Sequence, residues 1–284
     1  ADTVTLATNL ATGNTVDLTA GTDALILAAG TNTATISNTE TITGNTGADT
    51  VTLGAAITGA TIDLAAGTDG LILANGTNNL TVSNTETITG GTGADTISIS
   101  ATDLAGNTVN AGTGTDTLTI TGGGTLTSVN LASVTNFETW TLGTDAAHTL
   151  TLNDANVTTG QTLTIDGSAI TTGANALVIN ATGELDGILN VTGGAGNDSV
   201  TLGAAQASGT FDLAAGTDAL TLANGTNAVT VSNTETITGG TGADTVTLGA
   251  AITGATIDLA AGADALTLAA GTNSATVSNT ETVT

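Results

Sequence analysis

The chain has no lysine, arginine, cysteine, methionine, proline or tyrosine, and among its 284 residues only one tryptophan, two phenylalanines and one histidine. Each absence excludes something. With no cationic side chain against 25 acidic ones, a formal net charge of -25, there is nothing to displace counterions from a phosphate backbone, so nucleic acid is not expected as a partner. An anionic membrane surface repels such a chain. Lack of cysteine removes disulfides and thiolate metal sites. No apolar run approaches the length of a bilayer-spanning helix and no basic segment precedes one, so no membrane insertion is expected. An enzyme is not expected either, because nearly every nucleophile, cationic clamp and proton shuttle except carboxylates and hydroxyls is missing. His148, in DAAHTL, is expected at an exposed turn or strand edge. Trp140, Phe137 and Phe211 are the only aromatics available to stack on a sugar, and the first two read as a core plug or cap.

What is present is a strand-forming mixture. Hydrophobic residues make up 39% of the chain, and 39 glycines separate stretches dominated by Val, Ile, Leu and Thr, which argues for a folded chain despite its acidity. Self-comparison is the most informative reading. Residues 1–47 recur at 48–93 and at 197–242, and a fourth copy runs from 243 to Thr284. The expected organisation is one continuous array: two repeats over 1–93, a divergent segment over 94–196, and two repeats over 197–284, the last truncated. The absence of an initiator Met, and a chain that begins and stops in nearly the same repeat phase, suggest a piece of a longer array.

Within the second copy the apolar pairs Val51/Leu53, Ile62/Leu64, Leu71/Leu73 and Leu80/Val82, followed by Ile88, recur every 8 to 11 residues. Each pair brackets one polar residue, so apolar side chains point inward and Thr or Asp outward on a short strand. Clusters such as AAGTD, ANGTN and GGTG supply the turns. Helix is disfavoured by the period of 2 and by the β-branched, Gly-rich composition. One nine-residue rung cannot bury its own apolar pair, but a stack of rungs can, so the expected fold is an all-β, parallel β-solenoid, a β-roll or β-helix. At two rungs per coil about 30 rungs would make a rod roughly 70 Å long. Five rungs per copy divide by neither two nor three, which leaves the cross-section open. Asn38, Asn84, Asn233 and Asn279 hold the same place in the SNTET turns, where their amides are expected to bond turn backbone or to stack as a ladder.

GGTGADTVT at 239–247, GGAGNDSVT at 193–201 and GGTGADTIS at 90–98 follow the pattern G-G-x-G-x-D-x-U-x, U being a large apolar residue, a known calcium-binding β-helix nonapeptide. Residues 44–49 and 111–116 each miss one glycine of it. Glycines let turn carbonyls face a cation, the aspartate adds a charged oxygen, and calcium takes six to eight such hard donors. One turn supplies only part of that shell. Asp49 is followed by Asp69, Asp95 by Asp116, Asp198 by Asp218 and Asp244 by Asp264, 20 or 21 residues on, about two rungs. Two rungs per coil would therefore lay each GGxGxD turn against a GTD or GAD turn on the same edge. Carboxylates stacked about 5 Å apart repel by roughly 1 kcal/mol even in water, and the chain has no cationic side chain to offset this. The same glycines and aspartates are also turn formers in their own right.

On these motifs the chain resembles the RTX, or haemolysin-type, calcium-binding repeat proteins, which include giant secreted bacterial surface and matrix proteins. The resemblance implies a parallel β-roll, calcium in the turns, type I secretion and an extracellular or cell-surface location. Carried over by position, Asp49, Asp95, Asp198 and Asp244 supply carboxylates, faced by Asp69, Asp116, Asp218 and Asp264. Gly90, Gly91, Gly93, Gly193, Gly194, Gly196, Gly239, Gly240 and Gly242 supply turn carbonyls. The sequence departs from the family in that most turns are the Asp-poor ANGTN, TGAT or SNTE, so calcium would be sparse. The expected function is structural: a calcium-binding solenoid that builds a surface filament, matrix fibre or surface layer through contact with copies of itself, head to tail or laterally. The remaining partner candidate is a cell-surface polysaccharide. Two alternatives are the stalk of a large secreted adhesin and an ice- or surface-binding solenoid, the latter prompted by outward pairs such as Thr50/Thr52, Thr149/Thr151 and Thr245/Thr247.

Overall fold

The computed structural model describes residues 1–284, and its 30 short strands pair only in parallel with strands that are not their chain neighbours. This is the expected β-solenoid. Each coil lays down one strand on one sheet, turns, lays down a second on the opposite sheet, and turns again. The chain forms two compact units, one of residues 1–121 with 133–137, the other of 122–132 with 138–284.

In the first unit the strands Thr3–Thr5, Ala24–Ile26, Thr41–Thr46, Thr58–Ala66, Asn79–Ser83, Thr96–Ser100 and Thr117–Thr121 stack in register on one side. Asn14–Asp17, Thr33–Ser37, Thr50–Leu53, Gly70–Ile72, Thr87–Thr89, Thr108–Asn110 and Val134–Thr135 form the opposite, 7-stranded sheet. In-register stacking converts the period-2 pattern into continuous interior rows. Leu25, Ile42, Ile62, Val82, Ile99 and Ile120 form one such row, and Val51, Leu71, Ile88 and Val109 another, all buried. Each fully buried aliphatic side chain stabilises the fold by about 1.5–3 kcal/mol relative to exposure, and no rung collects that without its neighbours.

The second unit repeats the scheme. Thr139–Leu142, Thr162–Asp166, Ile188–Thr192, Gly209–Asp212, Ala228–Ser232, Thr245–Leu248, Ala265–Thr267 and Thr282–Val283 face an 8-stranded sheet that runs from Gly124–Leu126 to Ser274–Ser278. Trp140, Ile165, Val191, Phe211, Val231 and Leu248 share one interior row. Trp140 and Phe211 are the bulkiest fully buried side chains, and Phe137 is also buried, as a core plug requires. The Phe211 ring lies over Gly209, where a Cβ would come within 2.8 Å of it. Outward positions form hydroxyl rows, such as Thr210, Thr230, Thr247 and Thr267 on successive coils.

Register partners inside the repeats are alternately 17 and 20 or 21 residues apart, as in Ala24 with Thr41 and Thr41 with Thr61. Two strands per coil and five per copy mean that equivalent strands of successive copies fall on opposite sheets: Val4 and Ile97 on one, Val51 on the other. In the divergent segment the coils lengthen, with Val109 against Val134 and Leu150 against Ile179, and the extra residues form loops. One departure from the all-strand expectation is a single helical turn, Ala101–Leu104. Ser100 caps it: its hydroxyl accepts from Asp103 N–H at 3.0 Å and donates to the Asp103 carboxylate at 2.7 Å, a local signal that outweighs strand periodicity over four residues.

Candidate functional site

Before most strands of the repeats stands an Asp, Asn or Glu whose side chain turns toward the coil before it, as at Asn32, Asp49, Asp69 and Glu86. Coil by coil these side chains form polar ladders along the edges of the solenoid. The rule of each ladder is that a side-chain oxygen accepts the backbone N–H of the equivalent residue one coil earlier. In the first unit Asn32 N–H donates to Asp49 Oδ1 at 2.8 Å, Asp49 N–H to Asp69 Oδ1 at 2.7 Å and Asp69 N–H to Glu86 Oε2 at 2.7 Å. On the other edge Asn78 N–H donates to Asp95 Oδ1 at 2.9 Å and Asp95 N–H to Asp116 Oδ1 at 2.7 Å. In the second unit Asp198 N–H donates to Asp218 Oδ1 at 2.6 Å and Asp218 N–H to Glu235 Oε2 at 2.9 Å. The ladder on its other edge runs Gln206, Asn227, Asp244, Asp264, Glu281. The four aspartate pairs singled out from spacing are thus in direct contact, each GGxGxD-type turn against a GTD or GAD turn. All eight carboxylates are at most 2% exposed.

The ladder position requires only an acceptor, and a neutral amide fills it completely. Asn227 Oδ1 accepts from Gln206 N–H, while its Nδ2 donates to Asp244 Oδ1 at 2.8 Å and to the carbonyls of Ala223 and Gly225. Asn32 and Asn78 use their Nδ2 groups in the same way. An aspartate in that place has a second oxygen and no hydrogen to offer. Oδ2 of Asp23, Asp49, Asp69, Asp95, Asp218 and Asp264 is buried with no hydrogen-bond partner, an arrangement that costs several kcal/mol for an ionised group unless a cation or a proton offsets it. Asp198 and Asp244 differ. Their Oδ2 atoms accept from Gly194 N–H at 2.7 Å and Gly240 N–H at 3.4 Å, within their own turns.

The electrostatics follow from this geometry. Burial, reinforced by the charges of Asp198 and Glu235, pushes the Asp218 carboxyl up to about 6. Burial and the neighbouring Asp49 and Glu86 raise Asp69, and burial raises Asp198.

The motif glycines sit where consecutive turns touch backbone to backbone. A Cβ on Gly90, Gly193 or Gly239 would lie 1.7–2.6 Å from a carbonyl oxygen of the next coil, and one on Gly91, Gly194 or Gly240 2.5–2.7 Å from a carbonyl of the coil before. The carbonyls of Gly93, Gly196 and Gly242 press on Gly114, Gly216 and Gly262, where a Cβ would come within 1.9–2.1 Å. Close stacking alone therefore accounts for the glycines, and the aspartates carry the functional question.

One residue class in the ladders escaped the sequence reading. Glu86, Glu235 and Glu281 of the SNTET turns continue the pairs that end at Asp69, Asp218 and Asp264, and Glu40 follows Asp23 in the same way. Their signal was the constant 17-residue lag behind Asp23, Asp69, Asp218 and Asp264. The SNTET asparagines, expected to bond turn backbone or to stack as a ladder, instead pair with aspartates: at φ of 47–50°, Asn38, Asn84, Asn233 and Asn279 donate Nδ2 to Asp17, Asp63, Asp212 and Asp258 Oδ1 of the preceding coil at 2.7–2.8 Å. The expected exposure of His148 is corrected. It is 1% exposed because it begins a strand whose alternate residues face the core, and burial holds its imidazole below the usual histidine range.

No family model, curated protein or solved structure matches this chain.

Proposed function

We propose that this β-solenoid is a structural extracellular module, a calcium-binding repeat protein of the RTX kind, exported by type I secretion and building a surface filament, matrix fibre or surface layer through contact with its own copies. One observation carries the calcium reading. At a ladder position that Asn satisfies fully, the repeats place Asp, leaving a buried carboxylate oxygen without a donor in a chain that has no lysine or arginine. The donor set fits a hard cation, since it consists of carboxylate and carbonyl oxygens. The fit is best at Asp69, Asp218 and Asp264, each flanked by a glutamate one coil on; Asp23 has such a glutamate too, but the Ala1 ammonium lies 3.7 Å from its Oδ1. The fit is weaker at Asp198 and Asp244, whose carboxylate oxygens already accept N–H groups. Calcium bound there would neutralise the ladder and tie successive coils together. The structural role is supported by in-phase stacking whose polar residues are spent on joining one coil to the next.

The test is thermal unfolding followed by circular dichroism, in EDTA and in millimolar calcium. Calcium is expected to raise the melting temperature by ten degrees or more and to sharpen the transition. A melting curve indifferent to EDTA removes the calcium reading. Negative-stain images of calcium-loaded protein at high concentration are expected to show fibres or a lattice, and dispersed single molecules would remove the assembly reading.

A further inference from the structure

The strongest unassigned feature lies in the divergent segment, away from every GGxGxD turn. Two consecutive coils of the second unit end strands on the same sheet, His148–Asn153 and Leu177–Gly183, and the loops that follow stack on each other. Leu185 N–H, in the later loop, donates to Asp154 Oδ1, in the earlier one, at 3.2 Å. This contact brings Asp154 beside Glu184 and Asp186, and one carboxylate oxygen from each of the three lies within 4.8 Å of the other two. Asp154 and Asp186 are exposed.

Glu184 makes this more than an acidic patch. It is 1% exposed, and its Oε1 is held by two loop amides, Asp186 N–H at 3.0 Å and Gly187 N–H at 2.7 Å. Its Oε2 is buried with no hydrogen-bond partner. A buried carboxylate fixed through one oxygen, with its other oxygen bare, in a group that meets two further carboxylates within 4.8 Å, is poised for a cation. The glutamate is not needed as a turn cap, because a glutamine would accept the same two amides. Nor is any cationic side chain available, the chain having none.

We propose that Asp154, Glu184 and Asp186 form a separate calcium site that clasps the two loops together. Oxygens bound across a calcium ion at about 2.3–2.6 Å stand up to about 5 Å apart, so the three donors can share one ion as they stand. The two exposed carboxylates leave the solvent side open to water, which completes the shell. Bound calcium would fix the two longer coils that carry these loops. The site is independent of the repeat turns.

The experiment is calorimetric titration of the full chain with calcium chloride, for the wild type, Glu184→Gln, and the double variant Asp154→Asn with Asp186→Asn. The double variant changes only exposed positions and keeps their acceptor atoms, so the fold is expected to persist. Loss of one calcium equivalent per chain, with the remaining equivalents unchanged, is the expected result, and Glu184→Gln is expected to weaken that equivalent at least tenfold. Calcium should also slow amide exchange at residues 185–187 in the wild type and not in the double variant. An unchanged stoichiometry in the double variant, or exchange at 185–187 indifferent to calcium, overturns the proposal. If the repeat turns bind nothing, the wild type takes up a single equivalent and the double variant none, so the two readings fail separately.

Discussion

At the residue scale the decisive contrast is between Asn and Asp in the same ladder position. Asn227 is satisfied on both ends of its amide, whereas Asp218, in the corresponding place on the other edge, has a bare Oδ2. Asp218→Asn is therefore expected to stabilise the calcium-free protein, by about 1–3 kcal/mol, because it removes a buried, uncompensated charge and lets the amide reach the turn carbonyls. In saturating calcium the order reverses and the wild type melts higher. Chemical denaturation of both proteins in EDTA and in calcium checks this, and a variant less stable than the wild type in EDTA contradicts it. The pH dependence has a definite sign. With the Asp218 carboxyl at about 6 in the folded state and near 4 when unfolded, the native state binds more protons between those values, so calcium-free stability falls as pH rises through that window. The melting temperature in EDTA is expected to be higher at pH 5 than at pH 7.5. The aspartate pairs could be read from the sequence because their 20- and 21-residue lags matched two rungs. The glutamates went unread because their lag of 17, though constant from copy to copy, joins turns of unlike sequence, and the observed register shows that SNTET follows GTD or GAD on the same edge. His148 misled because a lone histidine in DAAHTL carries no periodic signal, and its alternation with Leu150 and Leu152 decides its direction instead.

At the scale of the element, alternation and turn glycines sufficed to place most strands, because each has only one way to turn its apolar residues inward. The exceptions arose where local chemistry outweighs period. Ser100 and Asp103 close a helical turn at Ala101–Leu104, and Thr58–Ala66 runs on through a register shift after Thr58. Glycine in the turns is a requirement of contact between coils. A Cβ on Gly67 would lie 2.1 Å from the Gly47 carbonyl oxygen and 2.7 Å from Asp69 Oδ1. Gly67→Ala must push two stacked turns apart, and a loss of about 1–3 kcal/mol is expected. Urea denaturation measures it. Retained wild-type stability would mean that the turns are not packed as described.

At the scale of the whole molecule, an odd number of strands per copy combined with two strands per coil has an electrostatic consequence. Within each unit the acidic triads of successive copies fall on opposite edges: Asp198, Asp218 and Glu235 on one, Asp244, Asp264 and Glu281 on the other. Repulsion between triads is thereby spread over two edges, and any ions they hold would link coils on alternate sides. Period alone left the number of rungs per coil open, because five rungs per copy divide by neither two nor three. Parallel pairing at lags of 17 and 20 or 21 resolves it. The most direct test of the central claim, that buried aspartates in the ladders hold calcium, is a crystal structure grown in calcium. Ions are expected about 2.3–2.6 Å from the Oδ2 atoms of Asp69, Asp218 and Asp264. Those oxygens found bare, or protonated and bonded to a carbonyl at saturating calcium, would contradict it.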